Sequence, residues 1–496
     1  MKVKSWFKKI FSPIDLTTGT PWKVIVLFAI PVLLSQLFQQ FYTVMDAVVV
    51  GQAIPEQFAG INNTGPLSFL ILQLAFGCTA GFSVSISSKF GDKNLEGTKK
   101  SFIHSTFLAT MIAIILTIVS LCTIDPLLSL VGVKASNDLQ TYEASRMYMI
   151  VICSGIICQV LYNLIVSVNR AIGDSVTPLI FLVISSVLNI ILDIAFVNIF
   201  QTPNTKVFGV GFATILAQGL SALFCFIYTL RKYKFLRFTF KDLKLDGKEC
   251  FTQLKNGLPL GFQFSVLAIG FIVLQNAIVG FDKGILIQGT EKFAHYAQDG
   301  AGCANRLNNL LMAPFIALGI SMLSYSAMNY GKKDYHRLTK GFKSCAIIGL
   351  IISTVSIVIG LLLTINGAFV YIFLDPTQIY EETIYYATTY IYCVVPFSFF
   401  LALLMCARNI IQGMEKPFWP FMAGVLELAT RILICLYVPL LIAEGPKSAG
   451  GYMAVCFADS MAWVVGAIVL VIPLIYYLVK LHKLELIQDQ ENLSKN

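Results

Sequence analysis

The chain has 496 residues, of which 56% are hydrophobic and 13% charged, with a mean hydropathy of +0.75. That composition excludes a soluble protein of this length and suits a polytopic, all-α membrane protein. The formal charge of +9 comes mainly from a few basic loops, which points to contact with membrane lipids carrying anionic headgroups and to no nucleic-acid partner.

In chain order, the first apolar stretch is PWKVIVLFAIPVLLSQLFQQFYTVMDAVVVGQ, from Pro21 to Gln52. It holds about twenty-five mostly apolar residues after Lys23, enough to cross a bilayer as a tilted helix. Pro31 lacks the N–H that an interior helical position uses, so it predicts a bend there. Ser35, Gln39, Tyr42 and Asp46 follow at steps of four, three and four and form one polar stripe. Asp46 lies about 22 Å beyond Pro31 along the axis. A carboxylate at that depth is expensive, and such acids face a cavity or a partner.

The apolar runs fall at 24 to 50, 65 to 88, 102 to 124, 147 to 168, 178 to 200, 208 to 230, 256 to 281, 296 to 325, 344 to 366, 387 to 410, 418 to 441 and 451 to 479, predicting twelve transmembrane helices. Lys and Arg collect in alternate loops: MKVKSWFKK, KFGDKNLEGTKK, RKYKFLRFTFKDLKLDGKE, GKKDYHRLTKGFK and KLHK. The positive-inside rule puts these in the cytoplasm, with both termini, as expected of a multi-pass protein of the bacterial cell membrane. Lys9 is followed by Pro13, Asp15 and a Gly-Thr-Pro turn rather than by a cleavage pattern, so no cleavable signal peptide is expected.

The two halves repeat. KFGDKN at 89 to 94 recurs as NYGKKD at 329 to 334, and RAIGDSVTP at 170 to 178 recurs as NIIQGMEKP at 409 to 417, separations of 240 and 239. Pro31 has a counterpart in Pro259 of GLPLGFQF. Two anchors with one spacing predict two six-helix lobes of like topology, a parallel duplication met in secondary transporters. The amino-terminal lobe is assigned to 1–240, the end of a basic linker to 241–255 and the carboxy-terminal lobe to 256–496.

The fifth span carries Asn189 and Asp193 at i and i+4, and the sixth carries Thr214 and Gln218 in the same relation. Span direction puts Asp46, Asp193 and Thr214 at similar depth. Two carboxylates, an amide and a hydroxyl at one depth can bind a small cation or share a proton. In the second half Leu274 stands at the spacing from Pro259 that Asp46 has from Pro31, beside Gln275 and Asn276. Glu427 and Arg431, at i and i+4, read as a mutually neutralised pair, while Asp299, Arg306 and Asp459 receive no role.

Most of the twelve cysteines lie within spans, none in a CxxC pair, and read as small packing residues. The four histidines are scattered, so no metal site and no cofactor is expected. The chain has no HExxH or GxSxG motif, which argues against an enzyme. A lipid-linked oligosaccharide flippase is the alternative within transport. It would need several intramembrane Lys or Arg, and by this reading only Arg306 and Arg431 lie near span interiors.

Taken together, Pro31 followed by MDAVVVGQ, then SKFGDKN, RAIGD with Pro178, NIILD, GVGFAT and MNYGKKD make the chain resemble the multidrug and toxic compound extrusion (MATE) family over nearly its full length. The resemblance implies two six-helix lobes in a V around a cavity, and export of small organic cations by antiport with H+ or Na+. Asp46, Asn189, Asp193 and Thr214 then form the amino-lobe proton or sodium site, with Pro31 as the bend in the first helix. Gln39, Tyr42, Gln275 and Asn276 are the candidate substrate-cavity residues. Some members carry acids in the seventh and tenth helices; here those spans have none. The transporter is expected to act as a monomer.

Overall fold

In lipid no water is available to hydrogen-bond backbone N–H and C=O groups, so long apolar runs close them internally as helices. The computed structural model describes residues 12–495 apart from 55–60, 62–63, 132, 137, 240–241, 243, 288–289 and 375–378. The basic start MKVKSWFKK therefore lies outside the described residues. The principal helices are α1 (Pro21–Ala53), α2 (Gly65–Gly91), α3 (Leu95–Cys122), α4 (Leu139–Ser154), α5 (Ile156–Ala171), α6 (Val176–Ile199), α7 (Pro203–Lys232), α8 (Gly247–Val279), α9 (Tyr296–Gly331), α10 (Tyr335–Thr364), α11 (Glu381–Val394), α12 (Ser398–Gly413), α13 (Phe418–Tyr437) and α14 (Ala449–Lys495). Helices α11 and α12 run on as one span, Glu381–Gly413, and α4 and α5 meet at a 48° bend; with that bent pair taken as one span, the apolar spans among the described residues number twelve. Pro31 lies inside α1, which runs on as one helix to Ala53.

Polar caps mark several helix starts. The Asn94 side chain accepts from the Gly97 N–H at α3, and Asp138 accepts from Gln140 and Thr141 at α4. Thr202 and Thr205 form a capping box at α7, with Pro203 as the first helical residue. Between α8 and α9 the chain forms an antiparallel hairpin, β1 (Lys283–Ile287) with β2 (Thr290–Ala294). Asp282 accepts from the backbone N–H groups of Ala297 and Gln298 at the start of α9, which puts Asp299 in the first turn of that helix.

The chain divides into two compact units. Unit 1 comprises residues 1–265, 323–334 and 412–417, and unit 2 comprises 266–322, 335–411 and 418–496. In unit 1, α2 packs on α3 and α5, and α6 packs on α1 and α7, around a core that includes Phe82, Phe102, Val160 and Val168. The duplication is visible in the backbone. Lys93 and Lys333, 240 apart, take positive φ of 60° and 62°. Lys93 N bonds Phe90 O and Asn94 N bonds Lys89 O, while Lys333 N bonds Tyr330 O and Asp334 N bonds Asn329 O, the same turn twice. These two turns meet reciprocally within unit 1. A Cβ on Gly91 would lie 2.0 Å from the Met328 carbonyl oxygen, and one on Gly331 would lie 1.9 Å from that of Ser88. Only glycine permits so close a crossing of backbones.

The basic linker docks on α3. Lys99 pairs with Asp242 at 2.8 Å and Lys100 with Asp246 at 2.6 Å, and His104 Nε2 accepts from the Asp246 N–H. In the loop before α6, Asp174 is fully buried and accepts from Lys232, Tyr233, the Thr177 hydroxyl and two backbone N–H groups. Burial pushes the Asp174 carboxyl up, but the hydrogen bonds from Lys232 and Thr177 outweigh it and hold the group below the ordinary carboxylate range.

In unit 2, α13 and α11 pack on α14. A disulfide joins Cys345 on α10 to Cys406 on α12, which corrects the reading of these two cysteines as packing residues alone. They are 61 residues apart, and no local pattern announces the pairing. The expected Glu427–Arg431 pair is also corrected. Glu427 pairs with Arg408, a residue the sequence reading passed over, and Arg431 pairs with Asp459 at 2.8 Å. Side chains at i and i+4 share a face, but partners on α12 and α14 reach these groups with better geometry.

Candidate cation site

Helix α6 is apolar on the outside and polar within. Ile180, Ile184, Val187, Ile191 and Ile194 are exposed, whereas Ser185, Asn189 and Asp193, each four residues apart, are buried. Burying that stripe is tolerable only if neighbouring helices answer it. From α7, Thr214 does so. Asn189 Nδ2 donates to Thr214 Oγ1 at 3.4 Å, and Thr214 Oγ1 donates to the Val210 carbonyl at 3.2 Å. Asn189 Oδ1 is buried with no hydrogen-bond partner among the described residues. An amide oxygen held this way suits a proton donor or a hard cation. Asp193, one turn further on, has no exposed surface at all.

Of the four predicted ion-site residues, the structure thus brings Asn189 and Thr214 into contact and puts Asp193 on the same buried face. Asp46 lies on α1, which packs against α6, and its side chain is outside the described residues. Ser185 belongs to the same stripe and went unremarked in the sequence reading, although its spacing of four from Asn189 was visible. On α1 Ser35 is buried and bonds its own helix at the Pro31 carbonyl, while Gln39 is exposed and Tyr42 half-buried. Gln275 and Asn276 are exposed on α8, beside the buried Leu274.

The MatE family pattern matches residues 31–195 and 294–437, more than half of the chain. The chain belongs to the MatE family of transporters. It is 26% identical over 325 residues to the probable multidrug resistance protein YoeA of Bacillus subtilis, a match covering 64% of this chain and 66% of that one. It is 21% identical over 421 residues to the probable multidrug resistance protein NorM of Thermotoga maritima, covering 84% and 85% of the two chains. In fold, this MatE chain is similar to a MOP superfamily transporter from Pyrococcus furiosus, with a TM-score of 0.80, 21% identity, and coverage of 94% and 98%. Family membership makes it a multi-pass membrane transporter rather than an enzyme.

Proposed function

We propose that this MatE transporter exports small organic cations from the cell by antiport with protons or sodium ions, carried at Asp46, Asn189, Asp193 and Thr214. The observation that supports this most directly is the buried polar stripe of α6, where an unanswered amide oxygen and a fully buried carboxylate stand one turn apart. Acids at membrane depth are otherwise too costly to keep. The relatives named as multidrug resistance proteins support the substrate class.

In this reading Asp46 carries the coupling ion and α1 transmits its state. Protonating Asp46 removes its charge and its hold on neighbouring polar groups, and Pro31, which leaves the Leu27 carbonyl without its helical N–H, is the point about which α1 bends. Gln39, Tyr42, Gln275 and Asn276 are proposed to line the substrate path. The basic loops and both termini face the cytoplasm of a bacterial cell, and the monomer is the working unit. Where the exchange moves net charge, the membrane potential adds about 2.3 kcal/mol per charge per 100 mV.

Asp46→Asn mimics a permanently protonated acid. In vesicles holding the purified protein, it should abolish ethidium efflux driven by an imposed proton or sodium gradient while leaving insertion intact. Efflux at the parental rate would overturn the role of Asp46. Running the parent under each gradient separately identifies the coupling ion.

A further inference from the structure

Unit 2 buries a charge quartet that the amino-lobe reading does not use. Arg408 on α12, Glu427 and Arg431 on α13, and Asp459 on α14 are each at most 4% exposed. Two cations and two anions balance, yet a pair or a matched apolar packing would join three helices as well, since buried ion pairs add little net stability. The quartet is also uneven. Asp459 is held on both oxygens, by Arg431 Nε at 2.8 Å and by the Tyr390 hydroxyl of α11 at 2.8 Å. Glu427 has a single hydrogen-bond partner among the described residues, Arg408. Each arginine keeps a buried N–H without a partner there, Arg408 Nε and Arg431 Nη1. Glu427 therefore has a second cation one turn along its own helix, Arg431, and among the described residues Arg408 bonds Glu427 alone.

The neighbours are shaped to this chemistry. A Cβ on Gly270 of α8 would stand 3.2 Å from Arg431 Nη1, and one on Gly466 of α14 would stand 2.8 Å from Glu427 Oε1. The Arg431 guanidinium lies over the Phe271 ring at 5.2 Å. The charged groups acting on Glu427 are the other three members of the quartet, Arg408, Arg431 and Asp459, and the Tyr390 hydroxyl of α11 meets the quartet at Asp459. Position in the chain adds a second argument. Helix α8 passes from unit 1 into unit 2 after Ser265, five residues before Gly270, and α12 passes back at Gln412, four residues after Arg408. Both helices that flank the quartet are thus ones that the two units share.

We propose that Glu427 is a second proton-accepting residue of the transport cycle, and that Arg408 is the partner it releases on taking the proton. A proton from water adds to one Glu427 carboxylate oxygen and later returns to water; no other covalent bond changes. Neutralising Glu427 leaves the quartet with one unmatched buried cation, a state the membrane interior penalises, so Arg408 must move and α12 with it. In this structure Glu427 is paired with Arg408; taking the proton breaks that pair, and Arg408 then turns away. This rests on the transport reading and is independent of the amino-lobe acids.

The test is infrared difference spectroscopy of the purified full chain in lipid vesicles, titrated between about pH 8 and 5, following the C=O band of protonated carboxyls. Glu427→Gln should lose one acid's share of that band, Glu427→Asp should keep that share, and Asp46→Asn should remove only the share of Asp46 and leave that of Glu427 in place. If Glu427→Gln fails to insert, the charge-free pair Arg408→Met with Glu427→Leu takes its place and should show the same loss. Spectra of either variant that superpose on the parent across the titration would show a purely structural ion pair and overturn the proposal. An Asp46→Asn spectrum that superposes on the parent, with the Glu427 share present, would instead count against the amino-lobe reading alone.

Discussion

The crossing of Gly91 and Gly331 offers a quantitative test of the tertiary contacts in unit 1. In Gly331→Ala the new Cβ would stand 1.9 Å from a backbone oxygen, and ordinary van der Waals contact begins at 3.4 Å, so the two backbones must part by about 1.5 Å. Neither side can yield by turning a side chain, because the obstacle is the Ser88 carbonyl itself. Overpacking of this kind costs about 1–3 kcal/mol. Alanine recovers at most ~1 kcal/mol of helix propensity, and less at a helix's last residue, so the net loss should be about 1–2 kcal/mol. Gly302→Ala on the same helix is the control. Nothing lies within 4 Å of its added Cβ, and it should gain about 0.5–1 kcal/mol. Thermal unfolding of the purified proteins in detergent should rank Gly302→Ala highest, the parent next, and Gly91→Ala and Gly331→Ala below it. The double variant should cost less than the two losses added together, since one separation relieves both contacts. A Gly331→Ala protein that melts with Gly302→Ala would refute the crossing.

The linker should respond to acid and salt. Asp242 is held down to about 2 by hydrogen bonds from Lys99 and from the backbone and hydroxyl of Thr239, and the Lys100 bond lowers Asp246. Depressed carboxyl groups stabilise the docked linker fully above the ordinary value of 3.8, and that contribution is lost as pH falls toward 2. Hydrogen exchange at the Asp242 and Asp246 amides, corrected for intrinsic rate, should therefore be slow near neutrality and accelerate below about pH 3 or in about 1 M salt. No change under either condition would mean that the ion pairs do not hold the segment. Asp174→Asn should destabilise by about 2–3 kcal/mol, a buried-pair loss discounted because the Lys232 side chain is 29% exposed. Lys232→Gln should cost less, since Asp174 keeps its Tyr233, Thr177 and backbone donors; equal melting of the parent and Asp174→Asn would contradict this.

The sequence by itself determined the class of the molecule. Helical spans are legible because a bilayer leaves a backbone no alternative, so length and hydropathy decide the outcome locally. The duplication was legible for a similar reason: the turn that Lys93 and Lys333 adopt is set within six residues, and its glycine and lysine, Gly91 and Lys93, recur as Gly331 and Lys333 at a spacing of 240. The stripe of Asn189 and Asp193 was readable from helical periodicity alone. What needed the tertiary structure was partner choice. Glu427 and Arg431 share a helix face in the sequence, but the nearer donors come from Arg408, 19 residues away, and the acid that holds Arg431 is 28 residues on. Cys345 and Cys406 are separated by 61 residues and lie on successive spans. Asn189 meets Thr214 because α6 packs on α7, and Gly91 meets Met328 because two turns cross. Periodicity assigns a residue to a face of its own helix; which neighbour that face meets is set by the packing of all the helices at once, and that information is not local to any stretch of the chain.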